Sequence, residues 1–142
     1  MIDYPGKVSC VLFTIGCNFT CPYCHNPELA CNQVERLAPL EENKVLDFLK
    51  RRQGFLEGVV ITGGEPTLHG DLGAFCEKVR KMGYPIKLDT NGSRPDDIDH
   101  LLGKSLVDYI AMDVKTDPSR YAPDIFPAEL SRHLTSSIDL IL

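Results

Sequence analysis

The sequence lacks several features that would assign it to common classes of protein. It has no tryptophan, no low-complexity stretch, and no apolar run approaching the roughly 20 residues that a membrane-spanning helix needs. The opening residues MIDYPGK lack the charged and apolar regions of a secretory signal peptide. Basic residues are also too few for a nucleic-acid surface, since the net charge is -5 and such surfaces need a basic stripe. We therefore expect a cytoplasmic protein that binds neither membranes nor nucleic acid.

Cysteine is abundant, with six residues in a chain of 142. That number would suit the disulfide framework of a small secreted protein, but nothing else in the sequence indicates secretion. Three of the cysteines lie within eight residues: Cys17, Cys21 and Cys24. In a reducing compartment, such crowding indicates metal or redox chemistry. Cys10 and Cys76 lie among apolar residues and are expected to be buried in the core, whereas the role of Cys31 is left open.

The chain alternates between segments with the patterns of strands and of helices. The predicted strands are Val8 to Ile15, Val59 to Ile61, Pro85 to Leu88 and Val107 to Met112. The predicted helices are Glu41 to Gln53, Asp71 to Met82, Pro95 to Leu102, and a last helix from about Ala128. The strands are nearly continuous apolar runs, as expected for parallel strands covered on both faces. The pattern predicts an α/β protein with a parallel sheet of about four βα units.

Polar or glycine-rich groups follow each predicted strand at the point where it ends. They are Cys17, then Gly63-Gly64-Glu65, then Asp89-Thr90-Asn91, then Asp113 with Lys115. Functional sites of parallel sheets and barrels gather at the carboxyl ends of the strands, so we predict a site there. Plainer interpretations stay open: a tight glycine loop, turn residues at Asp89 and Asn91, and a simple Asp113–Lys115 ion pair.

The spacing Cys17-x3-Cys21-x2-Cys24 places three thiolates on one short loop. Thiolates are the usual ligands of iron–sulfur clusters, and three of them can hold a [4Fe–4S] cluster while one iron stays open. A zinc site is the first alternative, and it would need four ligands, with the adjacent His25 as the fourth. A ferredoxin-like electron carrier is the second, and it would need a fourth cysteine at a suitable spacing. The spacing favours the open cluster.

These residues carry a resemblance to a known family. CNFTCPYC resembles the CxxxCxΦC signature of the radical S-adenosylmethionine (SAM) superfamily, with Tyr23 in the aromatic position, and Gly63 to Pro66 match its GGEP motif. The segments IDYPGK, FTIGCNFTCPYCHNPEL, VVITGGEPTL, IKLDTNG and DYIAMDVK are similar to activating proteins of anaerobic ribonucleoside-triphosphate reductase. The resemblance implies a partial (β/α) barrel of the radical SAM type. We interpret residues 1–142 as its core domain, truncated at the C-terminus, with the later units missing.

The resemblance also implies the cofactors and the residues that bind them. Cys17, Cys21 and Cys24 would hold a [4Fe–4S] cluster, whose open iron would chelate S-adenosylmethionine. The residues implied to surround that cofactor are Tyr23, His25, Gly63, Gly64, Glu65, Asp89, Thr90, Asp113 and Lys115. Gly63 and Gly64 would let the backbone approach it, and Glu65 would hold their turn. Lys115 is suited to its carboxylate, and the two aspartates with Thr90 are suited to a monovalent cation.

The activity implied by the resemblance is that of an activase. Reductive cleavage of S-adenosylmethionine would generate a glycyl radical on a partner enzyme, with anaerobic ribonucleotide reductase as the expected partner and a flavodoxin or ferredoxin-type protein as electron donor. Only Cys31 lies between Cys24 and Gly63, so we expect a single cluster. Two alternatives stay open: a radical SAM enzyme that acts on a small molecule or peptide, and a non-catalytic iron–sulfur fragment.

Overall fold

The computed structural model of the chain describes residues 2–31, 33, 38–115 and 131–142. Within these residues the strands are β1 (Ser9–Thr14), β2 (Gly58–Gly63), β3 (Ile86–Thr90) and β4 (Tyr109–Met112). The helices are α1 (Pro27–Ala30), α2 (Glu42–Arg51), α3 (Leu72–Lys81), α4 (Pro95–Gly103) and α5 (Ser131–Ile141). A 3-10 turn covers Pro66–Leu68. No helix in the described ranges is long and apolar enough to cross a membrane.

The four strands form one sheet in the order β1-β2-β3-β4, and every neighbouring pair is parallel. Parallel neighbours need a crossover connection, and helices lie in those connections here. All four strands therefore end at the same edge of the sheet. This confirms the α/β prediction and the partial barrel of four βα units.

The core lies between the sheet and the helices that cover one of its faces. Leu49 of α2, Val79 of α3 and Leu101 of α4 are buried against the alternating strand residues Val59, Ile61, Ile86 and Leu88. Cys76 is completely buried in this core, as its apolar surroundings predicted, whereas Cys10 is only half-buried against it. The helical stripes read from the sequence therefore face the sheet.

Two short elements, helix α1 and the 3-10 turn at Pro66–Leu68, were not predicted, because the sequence indicated only loop there. Helix α1 is a single turn that starts with a proline, whose fixed φ suits the first helical position. The Gly16 N–H donates to the Leu29 carbonyl of this helix at 2.7 Å, and the Cys17 N–H donates to its Ala30 carbonyl at 3.2 Å. The turn therefore holds the start of the cysteine loop, a role that depends on tertiary contacts.

The ends of helix α3 follow the sequence prediction in part. Gly83 has a φ of +89°, the left-handed conformation that ends many helices. Asp71 stands directly before the helix as predicted, but its side chain makes no capping hydrogen bond. The start of the last helix predicted near Ala128 lies outside the described residues, and α5 is described from Ser131 onwards.

Helix α5 packs beside α4 and reaches the cysteine loop. Leu134 is 1% exposed and packs with Phe19, and Cys17, Cys21 and Met112 lie against this pair. Helical periodicity predicted the helix. Its contact with the cysteine loop comes only from the fold.

Candidate active site

The four strand ends open on one cavity with a volume of about 450 Å³. The loop after β1 contributes Cys17, Phe19, Cys21, Tyr23, Cys24, His25 and Asn26 to its lining. The ends of β2, β3 and β4 contribute Thr62, Gly63, Gly64, Asp89, Thr90, Asn91, Asp113 and Lys115. The structure therefore brings together every predicted site residue except Glu65, which lies behind the lining.

The three clustered cysteines are free thiols that differ in exposure. Cys17 and Cys21 are half-buried, and Cys24 is exposed. Burial raises the pKa of the Cys17 thiol, although the Phe19 N–H, 3.4 Å from its sulfur, opposes the rise. Burial likewise raises the pKa of the Cys21 thiol, and the nearby charge of Lys115 opposes it. Because a metal binds the thiolate, loading iron here requires release of these protons.

The three thiols are the donor set for the metal group that the sequence predicted. Among the described residues, no three His, Cys, Asp or Glu side chains are placed to hold one metal ion. In a cubane cluster each thiolate binds a different iron, so the ligand sulfurs spread around the cluster. The three thiols lie on one loop and line one cavity, with Cys24 at its exposed side. This arrangement fits a [4Fe–4S] cluster with one iron open to the cavity.

The two glycines of the GGEP segment are required by close backbone packing. Gly63 has a φ of +116°, and a Cβ there would lie 2.4 Å from the Thr14 nitrogen. A Cβ on Gly64 would lie 2.0 Å from the carbonyl oxygen of Gly16. The Gly64 N–H donates to the Thr14 carbonyl at 2.9 Å, so the end of β2 is joined to the start of the cysteine loop. Both glycines also line the cavity, where their expected approach to the cofactor stays a prediction.

Glu65 is completely buried beneath the GGEP turn. Its Oε1 accepts from the Thr67 N–H at 3.1 Å, the Thr67 hydroxyl at 2.5 Å and the Thr90 hydroxyl at 2.7 Å. Its Oε2 accepts from the Asn91 N–H at 2.7 Å. A buried carboxylate is tolerated when its oxygens are hydrogen-bonded in this way. Glu65 therefore joins the GGEP turn to the end of β3 from behind the cavity wall.

At the end of β4, Lys115 donates to Asp113 Oδ2 at 2.6 Å, so the simple ion pair considered from the sequence is present. Burial lowers the pKa of Lys115, but the hydrogen bond and charge of Asp113 outweigh it, and the net shift is upward. Lys115 is therefore a cation at neutral pH. The Tyr23 hydroxyl donates to the Lys115 carbonyl at 3.3 Å, which connects the cysteine loop to this strand end.

Asp89 also has a lysine partner, which sequence reasoning missed. Lys87 is 7% exposed and pairs with Asp89 two residues along β3, because alternate residues share one face of a strand. The signal was present in the sequence as a lysine inside an otherwise apolar strand. The monovalent cation site at Asp89, Thr90 and Asp113 stays a prediction.

Three further polar residues of the site were missed or given only a turn role: Asn18, Asn91 and Ser93. Asn91 and Ser93 are buried, and they connect the end of β3 to Asn18 beside the first cysteine. Only the adjacency of Asn18 to Cys17, and of Asn91 to a strand end, could have drawn attention to them.

The chain shares its sequence pattern with a known protein family. The family model described as the radical SAM superfamily matches residues 11–134. The chain belongs to the radical SAM superfamily. Enzymes of this superfamily use a [4Fe–4S] cluster and S-adenosylmethionine, which confirms the cofactors predicted from the sequence.

Several curated proteins are similar to this radical SAM chain. A protein of Methanocaldococcus jannaschii that carries the name of a glycyl-radical enzyme activating enzyme is 40% identical over 121 residues, which are 84% of this chain and 48% of that protein. The pyruvate formate-lyase-activating enzyme of Staphylococcus epidermidis is 31% identical over 68% of this chain and 39% of its own length. The 7-carboxy-7-deazaguanine synthase of Aquifex aeolicus is 36% identical over 55% of this chain and 33% of its own length. The chain thus spans half or less of the length of these relatives.

A solved structure supports the fold of this radical SAM chain. Native anSMEcpe with bound AdoMet superposes with a TM-score of 0.67 at 18% identity, covering 94% of this chain and 40% of that one. At this identity the likeness concerns the fold, and it agrees with the partial barrel described above.

Proposed function

We propose that this chain carries the cluster-binding and cofactor-binding part of a radical SAM activase, which generates a glycyl radical on a partner enzyme. Anaerobic ribonucleoside-triphosphate reductase is the favoured partner. The observation that carries the proposal is the cavity in which the three cysteines meet the GGEP turn and the ends of β3 and β4. The 40% identical relative named as a glycyl-radical enzyme activating enzyme supports the choice of reaction. We further propose that residues 1–142 form the first four βα units of a longer barrel.

The residues have distinct tasks in this proposal. Cys17, Cys21 and Cys24 ligate the [4Fe–4S] cluster, which when bound supplies one electron for the cleavage of S-adenosylmethionine to methionine and a 5′-deoxyadenosyl radical. Gly63 and Gly64 present backbone to the methionine end of the cofactor, while Lys115 places a positive charge near its carboxylate. Tyr23 and the backbone at His25 border the adenine.

A protein substrate needs an open approach to the reacting carbon, because a backbone glycine must reach it. The rim of the cavity carries exposed groups suited to such an approach. The Asp113 side chain is 72% exposed, and Tyr23 is 50% exposed. Cys24 is exposed at the same rim, which would shorten the path for an electron from a flavodoxin or ferredoxin-type donor. We place the reaction in the cytoplasm, where such reductants operate.

A second candidate function is a radical SAM reaction on a small molecule. It is favoured by the similarity to 7-carboxy-7-deazaguanine synthases, including that of Methanothermobacter thermautotrophicus, which is 32% identical over 70% of this chain. The two candidates share the cluster and S-adenosylmethionine, so they differ only in the group from which the radical takes a hydrogen atom.

The cluster assignment is tested by anaerobic reconstitution of the full-length protein. We expect about four irons and four sulfides per chain. Cys17→Ala, Cys21→Ala and Cys24→Ala should each lose most of this iron, because two thiolates cannot hold the cluster. Cys76→Ala is the matched control and should keep the iron, since Cys76 is buried in the core. Equal iron loss in Cys76→Ala would contradict the ligand assignment.

The reaction is tested with the reconstituted and reduced protein, S-adenosylmethionine and an anaerobic ribonucleotide reductase. Electron paramagnetic resonance should show the doublet of a glycyl radical on the reductase. A reductase variant whose radical-bearing glycine is replaced by alanine is the control. If 5′-deoxyadenosine forms only with a small metabolite, and no glycyl-radical enzyme gains a radical, the second candidate replaces the first.

A further inference from the structure

The side chain of Asn91 connects the end of β3 to the first cysteine of the loop. Asn91 is 6% exposed, and it lines the cavity. Its Nδ2 lies 3.8 Å from Cys17 Sγ and 3.0 Å from Asn18 Oδ1. Its Oδ1 accepts the Ser93 N–H at 2.9 Å. Both the NH₂ group and the carbonyl oxygen of the Asn91 carboxamide therefore make hydrogen bonds.

These contacts fix which end of the Asn91 carboxamide faces the cysteine. A backbone N–H can only donate, so the group facing the Ser93 N–H must be the carbonyl oxygen. The NH₂ group then points at the loop, where its two hydrogens face two acceptors, Cys17 Sγ and Asn18 Oδ1. Asn18 in turn donates from Nδ2 to the Ser93 hydroxyl at 2.9 Å, which closes the set of contacts.

The backbone that carries this donor is held from two sides. The Asn91 N–H donates to the buried Glu65 carboxylate at 2.7 Å. The next carbonyl, that of Gly92, accepts from the Ser137 hydroxyl of α5 at 2.6 Å, and Ser137 is completely buried. A Cβ on Gly92 would lie 2.1 Å from Met112 Cε, so the turn is also closely packed. A donor held in this way keeps its direction without reorganising when charge develops in front of it.

Hydrogen bonds to ligand sulfurs are among the factors that set the reduction potential of an iron–sulfur cluster. Reduction adds negative charge to the cluster and its thiolates, so an N–H donor stabilises the reduced state more than the oxidised state. We propose that Asn91 is a positioning residue that acts through Cys17 and raises the reduction potential of the cluster. This inference rests on the proposed function, because it requires Cys17 to be a cluster ligand. The Phe19 N–H, the second donor to the same sulfur, is retained when Asn91 is replaced.

The test is an anaerobic redox titration of the reconstituted full-length protein, with the reduced cluster followed by electron paramagnetic resonance. Asn91→Ala removes the donor, and if the hydrogen bond is stronger in the reduced state by about 1 kcal/mol, the size of one net hydrogen bond, the reduced-to-oxidised ratio at a given potential should fall about fivefold. That ratio corresponds to a midpoint about 40 mV lower for one electron. Asn91→Asp keeps the acceptor for Ser93 and replaces the donor by a charged oxygen, so its midpoint should fall at least as far.

Asn18→Ala is the matched control, because it removes a partner of Asn91 and leaves the donor to Cys17 in place. Its midpoint potential should differ from that of the wild type by less than half of the shift seen for Asn91→Ala. If wild-type protein forms no cluster, the proposed function fails. If both Asn91 variants hold full iron at the wild-type midpoint, only this inference is overturned. Loss of iron from Asn91→Asp but not from Asn18→Ala would show that Asn91 holds the loop in place, and this would also overturn the tuning role.

Discussion

Replacing Glu65 should weaken the fold of the whole site, because this one carboxylate serves several donors in the interior. Glu65 is completely buried and accepts from two backbone N–H groups and two hydroxyls. In Glu65→Ala all four donors lose their acceptor. A buried donor left without an acceptor costs about 1–3 kcal/mol, so the loss of the acceptor shared by these four should cost about 4 kcal/mol or more. That loss is a large part of the 5–15 kcal/mol that ordinarily stabilises a folded protein.

Glu65→Gln keeps the volume of the side chain but removes its charge and one of its two acceptor oxygens, so it measures the polar contribution alone. A glutamine can place its oxygen where Oε1 lies and keep the three contacts there. Its NH₂ group then faces the Asn91 N–H, so two donors meet where one charge-assisted hydrogen bond stood. We expect Glu65→Gln to cost about 1.5–3 kcal/mol, less than Glu65→Ala.

The measurement is urea unfolding of the reduced, iron-free full-length protein, followed by circular dichroism. The free energy of unfolding should fall in the order wild type, Glu65→Gln, Glu65→Ala, with an unchanged dependence on urea. Glu77→Ala and Glu77→Gln, at an exposed position of α3, are the controls and should change stability by less than about 0.5 kcal/mol. Wild-type stability of Glu65→Gln would refute this reasoning, and that variant remains informative if Glu65→Ala does not fold.

Two further predictions concern close packing and alkaline pH. Gly64→Ala should lower the free energy of unfolding by about 1–3 kcal/mol and reduce iron loading, because its Cβ would meet the Gly16 backbone beside Cys17. Gly70→Ala, with nothing within 4 Å of the new carbon, should do neither, and equal effects would contradict the packing argument. Burial raises the pKa of Cys76 from 9.0 to about 12, so its stabilising effect is full below pH 9 and is lost as pH rises toward 12. From pH 8 to 10.5 the reduced wild type should lose about 2 kcal/mol more than Cys76→Ala in urea unfolding, and parallel pH profiles would contradict this.

The sequence alone was sufficient for features that depend on local spacing. The alternation of apolar runs and amphipathic stretches predicted four parallel βα units, because periodicities near 2 and 3.6 reflect which face of an element is buried. The positions of polar residues directly after the strands predicted one shared edge for the site. The three cysteines needed no structure to be recognised as a group, since all lie on one short loop.

Other features depended on which distant segments become neighbours. Glu65 and Asn91 are 26 residues apart, and Asn18 and Ser93 are 75 residues apart, yet each pair is joined by a hydrogen bond. The sequence showed Gly64 as a glycine suited to a close approach, but not that its neighbour is the Gly16 carbonyl. The Lys87–Asp89 pair could be predicted only with knowledge of which face of β3 is buried, because a lysine within a strand can lie on either face.

Spacing along the chain therefore determined which residues this protein offers for chemistry, and tertiary structure decided how they are held. Strand order and register set which strand end lies beside the cysteine loop, and packing of α5 adds a hydrogen bond to the turn at Gly92. These arrangements minimise the free energy of the whole core, to which residues far apart in sequence contribute together. No local pattern encodes such a sum, so the hydrogen bonds behind the cavity wall could be seen only in the folded molecule.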